Sequence, residues 1–251
     1  MKDLADRAVI GRMGTVVRYW ARTRDSFREI MYDPRARTRW LARYVYLMVG
    51  LFVSALGMEI TVEGRVGVSP WNVLHLGLSA RTGLTLGQVM QGLGLLIVVL
   101  SAMTGICPKI ATVFNMFFVG YFVDIIAGWG LVDGPPGFLT GSLINAMGQV
   151  ITGVGTAIYI TADLGAGPRD TLMVVLTRRS GWPVGLIRSL IEATVLVVGY
   201  FLGGPVGVGT VLGVIIVGPS VQYSFKALAR MARWRVFEGI IQVPAALRRS
   251  A

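Results

Sequence analysis

Two short stretches place polar side chains between long apolar segments. Residues 67–74 read GVSPWNVL and residues 165–172 read GAGPRDTL. In each, a cap-type residue precedes a proline, which is typical of a helix start. First-turn N–H groups lack partners within the helix and carry the positive end of its dipole, so they favour anionic groups. The pattern predicts reversible binding, with these candidate substrate-binding residues: Ser69, Trp71, Asn72, His75, Arg169 and Asp170. The alternative is that they are interfacial helix caps.

A second set of polar residues lies inside apolar segments. Glu192 falls near the middle of one segment, and Arg188, four residues earlier, shares its helix face. Ionisable groups in membrane spans are often functional, so these two and Asn115 are candidate coupling residues. The alternatives are a structural ion pair and a hydrogen bond between helices. Asp124 and Glu59 lie near span ends and are expected at the membrane interface.

Residues for catalysis or metal binding are scarce. The chain has one cysteine, Cys107, and one histidine, His75, which rules out an internal disulfide and argues against a Cys/His metal site. No nucleophile–base set or phosphate-binding loop is recognisable. We therefore expect no enzymatic activity, no cofactor and no metal.

The elements that position these residues are membrane helices. The 251 residues are 54% apolar and 15% charged, with a mean hydropathy of +0.65 and recurrent apolar runs. Helices satisfy their own backbone groups in lipid, so this composition predicts an all-α polytopic membrane protein. The predicted spans are 41–62, 84–104, 108–128, 142–162, 183–203 and 208–224. Short helices are predicted at 70–80 and 168–178.

The chain contains an internal repeat. Residues 50–120 align without a gap to residues 148–218 at a shift of 98, and 16 of the 71 pairs are identical. Seven of the identical pairs are glycines, which apolar composition alone does not explain. Two of these pairs form Gly83-x-x-x-Gly87 and Gly181-x-x-x-Gly185, a spacing that suits close helix packing. The sequence thus predicts two homologous halves, each with three spans and one short helix.

Two topologies fit this layout. If the short helices re-enter or are broken, the halves are inverted repeats and the total is six spans. If they cross, the halves are parallel and the total is eight. A helix of about twelve residues is only ~18 Å long against a ~30 Å hydrocarbon core, which favours the inverted arrangement. The corresponding regions are an arm at 1–40, repeats at 41–129 and 142–225, an extracytoplasmic linker at 130–141, and a tail at 226–251.

Charge predicts the orientation. The net charge is +11, and 10 of the 24 Lys and Arg residues lie in the arm while six lie in the tail. By the positive-inside rule both termini are cytoplasmic. The amphipathic arm is expected to contact anionic lipids at that face, and nucleic acid is not an expected partner.

The two short motifs also carry a resemblance. The stretch GVSPWNVL after the first span, with its counterpart GAGPRD, resembles the YczE/YitT group of bacterial inner-membrane proteins over about 41–225. The resemblance implies a multi-pass protein of the bacterial plasma membrane. It supplies no catalytic residues.

These observations favour a small secondary transporter or exporter. It would move a small anionic or zwitterionic solute by alternating access between the halves. The alternative is a non-transporting scaffold that recruits a cytoplasmic partner through its basic arm and tail. A homo-oligomer is compatible with either function.

Overall fold

The described residues of the chain are helical. A computed structural model describes residues 34–104, 109–131, 137–165, 167–232, 234 and 240–241, and it has no strand in these ranges. The helices are α1 (Pro34–Glu63), α2 (Pro70–Thr82), α3 (Leu86–Met103), α4 (Ile110–Ala127), α5 (Phe138–Thr161), α6 (Pro168–Ser180), α7 (Val184–Phe201) and α8 (Val208–Met231). The prediction of an all-α fold is confirmed. Among the described residues, α1, α3, α4, α5 and α8 are long and apolar enough to cross a membrane.

Three helices extend into the predicted arm, linker and tail. Helix α1 begins at Pro34, α5 begins at Phe138 and α8 continues to Met231. Backbone hydrogen bonding can continue past the lipid boundary, whereas the sequence prediction followed hydropathy alone. The parts of the predicted regions outside the described residues are 1–33 of the arm, 132–136 of the linker, and 233, 235–239 and 242–251 of the tail.

The short helices begin at the predicted prolines and end at glycines. Helices α2 and α6 each contain 13 residues and begin at a proline. Gly83 and Gly181, which follow them, have φ values of 71° and 73°, the left-handed conformation that glycine adopts most readily at a helix end. No other segment lies within 4 Å of a Cβ added at either position. The prediction that these two glycines mediate helix packing is therefore wrong, because they are C-caps.

Helices α1 and α5 form the closest crossing. They run antiparallel, since Gly50 lies against Tyr159 at one end and Gly64 lies against Gly141 at the other. A Cβ added at Gly50 would be 2.5 Å from the backbone nitrogen of Tyr159. Small residues thus let the two backbones approach.

The same crossing contains matched contacts. A Cβ added at Gly148 would be 2.7 Å from the backbone nitrogen of Thr61. Gly148 and Thr61 correspond to Gly50 and Tyr159 at the shift of 98 residues. Each partner in one contact therefore has its sequence counterpart in the other.

Hydrogen bonds between the loops and the helix starts also correspond between the two halves. The Gly209 N–H donates to Val66 O at 2.8 Å, and the Ala111 N–H donates to Leu164 O at 3.2 Å. These two bonds correspond at the 98-residue shift with donor and acceptor in opposite halves. In the same way α2 packs on α7, and α6 packs on α3.

The surface and the interior have the distribution expected in lipid. Large apolar side chains such as Leu95, Phe138 and Val214 are exposed, whereas Asn145 and Gln149 are almost completely buried. A bilayer accommodates such a surface, and the helix bundle supplies partners for the internal polar groups. The chain is therefore a multi-pass membrane protein.

Candidate functional site

The helices enclose a cavity of about 790 Å³ with lining residues from all eight of the helices described above. All nine residues predicted from the sequence lie on its wall. They are Ser69, Trp71, Asn72, His75, Asn115, Arg169, Asp170, Arg188 and Glu192. The structure thus brings together the two short motifs and the polar residues of the long helices. The binding and coupling roles stay predictions.

The first turns of α2 and α6 face this cavity. Ser69 and Gly167 occupy the N-cap positions, and a proline follows each. Neither cap residue makes a side-chain hydrogen bond to its helix, so the predicted cap position of Ser69 is correct but its hydroxyl does not cap. Both helix starts therefore keep N–H groups that a ligand can use.

Arg169 joins the two helix starts. Its guanidinium carbon lies 4.9 Å from the centroid of the Trp71 ring, which is within the range of a cation–π interaction. Residues 71 and 169 are counterparts at the 98-residue shift. Arg169 and the next residue of α6, Asp170, are both partly buried and line the cavity. A positive and a negative group therefore lie side by side at one helix start.

The α2 side of the cavity is polar but uncharged. Asn72 and His75 are each 2% exposed, and His75 Nδ1 lies 3.4 Å from Asn72 Oδ1. The centroid of the imidazole ring is 6.2 Å from that of Trp71. This wall offers an amide, an imidazole and an indole to a bound group.

Helix α7 contributes the predicted ion pair. Arg188 Nε donates to Glu192 Oε1 at 3.0 Å, and the two side chains are 62% and 32% exposed. With Arg169 and Asp170, the wall carries two positive and two negative side chains. Asn115 of α4 lies near the start of α6, where a Cβ added at Gly167 would be 3.3 Å from its Oδ1.

Sequence reasoning missed a set of hydroxyl groups on α1 and α5. Ser54 and Thr61 line the cavity from α1, and Thr152 and Tyr159 line it from α5. Ser54 corresponds to Thr152 and Thr61 to Tyr159 at the 98-residue shift. On each helix the two residues are seven positions apart and share one face. Comparing polar positions between the two repeats would have revealed them. In the described ranges, no group of three His, Cys, Asp or Glu residues could hold a metal ion.

Two residues that are expected at the membrane interface face the helix bundle. Asp124 accepts hydrogen bonds from the Thr85 hydroxyl at 2.6 Å and the Gly87 N–H at 2.8 Å, and thereby joins α4 to the start of α3. Glu59 is only 4% exposed and packs inside the bundle. The sequence indicated how far along each span these residues lie, but not which way they face.

Residues 41–226 match DUF6198, a family of unknown function. The chain belongs to the DUF6198 family. It is 36% identical over 197 residues to the uncharacterized membrane protein YczE of Bacillus subtilis, which covers 77% of this chain and 90% of the relative. It is 30% identical over 200 residues to an uncharacterized protein of Haemophilus influenzae, covering 78% and 90%. No solved structure matches. The predicted YczE-like family is confirmed, and its DUF6198 region contains every cavity residue.

Proposed function

We propose that this DUF6198 protein is a small secondary transporter that moves a small anionic or zwitterionic solute by alternating access. The observation that carries the proposal is the position of Arg169 over Trp71, at the meeting of two helix starts on the wall of a 790 Å³ cavity. Charged groups inside a membrane bundle are costly and are usually retained for transport or proton relay. The function is transport without chemical conversion.

The solute class follows from the charges on the wall. The guanidinium of Arg169 and the free N–H groups of both helix starts attract a carboxylate, phosphate or similar anion. Asp170 and Glu192 attract a cationic group at a short distance from it. The cavity is within the usual range of about 300–1,000 Å³ for small-molecule sites.

Alternating access requires two related halves, and we propose that residues 41–129 and 142–225 are inverted repeats with six spans. The antiparallel crossing of α1 and α5 supports this arrangement, since parallel halves would place corresponding helices parallel. The matched bonds of Gly209 and Ala111 support it as well. Helices α2 and α6, at 13 residues each, would be re-entrant, because they reach only about 20 Å.

The proposed membrane is the bacterial inner membrane, with both termini in the cytoplasm. The concentration of basic residues in the arm and tail supports this orientation. The arm would also bind anionic lipids there. The alternative scaffold function would depend on the same arm, most of which lies outside the described residues.

The test is ligand binding by the purified protein and uptake by proteoliposomes. The probes are inorganic phosphate, glutamate, glycine and a choline salt as a cationic control, each scored by thermal shift and by radiolabel uptake. We expect an anionic or zwitterionic probe to bind, and Arg169→Ala to weaken its binding tenfold or more, since a charged hydrogen bond contributes about 1.5–3 kcal/mol.

The matched control is Arg179→Ala, which removes the same side chain from an exposed position on the same helix. This variant should bind like the wild type. Equal binding by the Arg169→Ala variant would exclude the proposed site, and preferential uptake of choline would exclude the solute class.

A further inference from the structure

The two corresponding contacts between long helices differ in this structure. Helix α3 packs on α4, and a Cβ added at Gly120 would lie 2.5 Å from Gly87 O. The counterparts at the 98-residue shift are Gly218 of α8 and Gly185 of α7. No atom of another segment lies within 4 Å of a Cβ added at either one, and α7 and α8 are not packed together in their described parts. We call each of these two helix–helix interfaces a seam. The α3–α4 seam is closed, and the α7–α8 seam is separated.

The separated seam belongs to the wall of the cavity. Arg188 and Glu192 of α7 and Val214, Gly218 and Val221 of α8 all line it. Arg188 lines the cavity although its side chain is 62% exposed. The space between α7 and α8 is therefore continuous with the cavity.

The chemistry of the two seams also differs. On α3, Gly94 lets Met116 of α4 approach, since a Cβ there would be 2.8 Å from Met116 Cγ. The counterpart of Gly94 on α7 is Glu192, which pairs with Arg188 along the same helix. Bringing α8 against this face would remove water from two charged groups, which is unfavourable unless they gain further partners.

Helix α7 is anchored at its other end. Gly199 contacts Val73 and Leu74 of α2, and Gly204 contacts Val73 beyond the end of α7. The Gly204 N–H also donates to Gly199 O at 2.8 Å. The end nearest Gly185 has no such glycine contact, so a movement of α7 would be largest there.

We propose that the seam between α7 and α8 is the gate of the cavity and is open in this structure. Closure brings Gly185 against Gly218, as Gly87 lies against Gly120. A solute bound beside Arg188 and Glu192 would supply the charged partners that these groups need on losing water, and so would favour closure. This inference rests on the proposed transport function.

The test compares cross-linking at corresponding positions of the two seams. In a Cys107→Ser background, cysteine pairs replace Ser189 and Ile215 across α7–α8, or their counterparts Gln91 and Phe117 across α3–α4. Gln91 Nε2 donates to Phe117 O at 3.0 Å, so a short bifunctional maleimide should link that pair rapidly. The Ser189/Ile215 pair can be linked only in the closed conformer, which is the minor one. Because minor conformers commonly have populations of about 0.1–10%, we expect slower linking across α7–α8.

A leucine at the gate distinguishes a moving seam from a fixed one. Gly218→Leu places its side chain in open space, so the variant should fold and melt like the parent. It should reduce linking of the Ser189/Ile215 cysteine pair by about tenfold, because the closed conformer is blocked. Linking at Gln91/Phe117 should not change.

Absence of any α7–α8 link, or a linking rate that Gly218→Leu leaves unchanged, would overturn the gate. Cross-linking requires no solute, so the result is separable from the transport proposal. If the α7–α8 seam closes but the protein takes up none of the four probes, the gate is supported and the transport proposal is weakened. If a probe is taken up but the seam does not close, transport is supported and the gate is overturned.

Discussion

The α3–α4 and α7–α8 seams carry identical glycines at corresponding positions, yet only α3–α4 is in contact. Gly87 meets Gly120, while Gly185 and Gly218 face open space. Glycine therefore permits a close approach without causing it. The difference lies in the neighbouring side chains, which favour contact at one seam and separation at the other.

Two neighbouring positions account for the difference. Asp124 bonds to Thr85 and Gly87 across α3–α4, whereas its counterpart on α8 is Gln222. Glu192 replaces Gly94 and adds a charged group to α7. We infer that a polar bond and a small residue hold one seam together, and that the cost of removing water from the charged pair on α7 disfavours contact at the other.

The largest expected effect comes from enlarging a glycine in the closed seam. Gly120→Leu should lower the free energy of unfolding by more than about 3 kcal/mol, because the new side chain would overlap the backbone of α3. Gly218→Leu should stay within about 0.5 kcal/mol of the wild type. Denaturation of both variants in detergent micelles checks this contrast. Equal losses in the two variants would mean that the α7–α8 seam is closed in the protein in micelles.

A smaller effect is expected from Asp124→Asn. The neutral amide has one acceptor oxygen where the carboxylate has two, so one of the two donors loses its acceptor and the other keeps only an uncharged one. We expect a loss of about 1–3 kcal/mol in the same denaturation measurement. Gln222→Ala, at the corresponding exposed position, should change stability little. A loss of the same size in that control would remove Asp124 as the reason for the difference.

A still smaller loss of stability than that of Asp124→Asn should come from making α7 resemble α3. Arg188→Met with Glu192→Gly introduces the residues that α3 has at positions 90 and 94. The lost ion pair is exposed, so the free energy of unfolding should change by less than about 1 kcal/mol. Cross-linking between Ser189→Cys and Ile215→Cys should nevertheless become faster. An unchanged rate would show that this pair does not hold the seam apart.

Much of the candidate site could be predicted because it depends on local rules. Proline and glycine mark the beginnings and ends of α2 and α6, so the positions of Trp71 and Arg169 in their first turns follow from sequence. The burial of Glu59 and the hydrogen bonds of Asp124 could not be predicted in this way. Their burial depends on which neighbour each helix packs against, and hydropathy carries no such direction.

The sequence by itself determined the helical membrane class, the repeat at a shift of 98 residues and nine of the polar residues that line the cavity. Hydrophobic run lengths, helix breakers and periodicity encode these properties within short segments. Only the tertiary structure decided that Trp71 contacts Arg169 and that α7 stands apart from α8. These outcomes depend on the packing of segments remote in sequence, where identical glycines can have contact or open space.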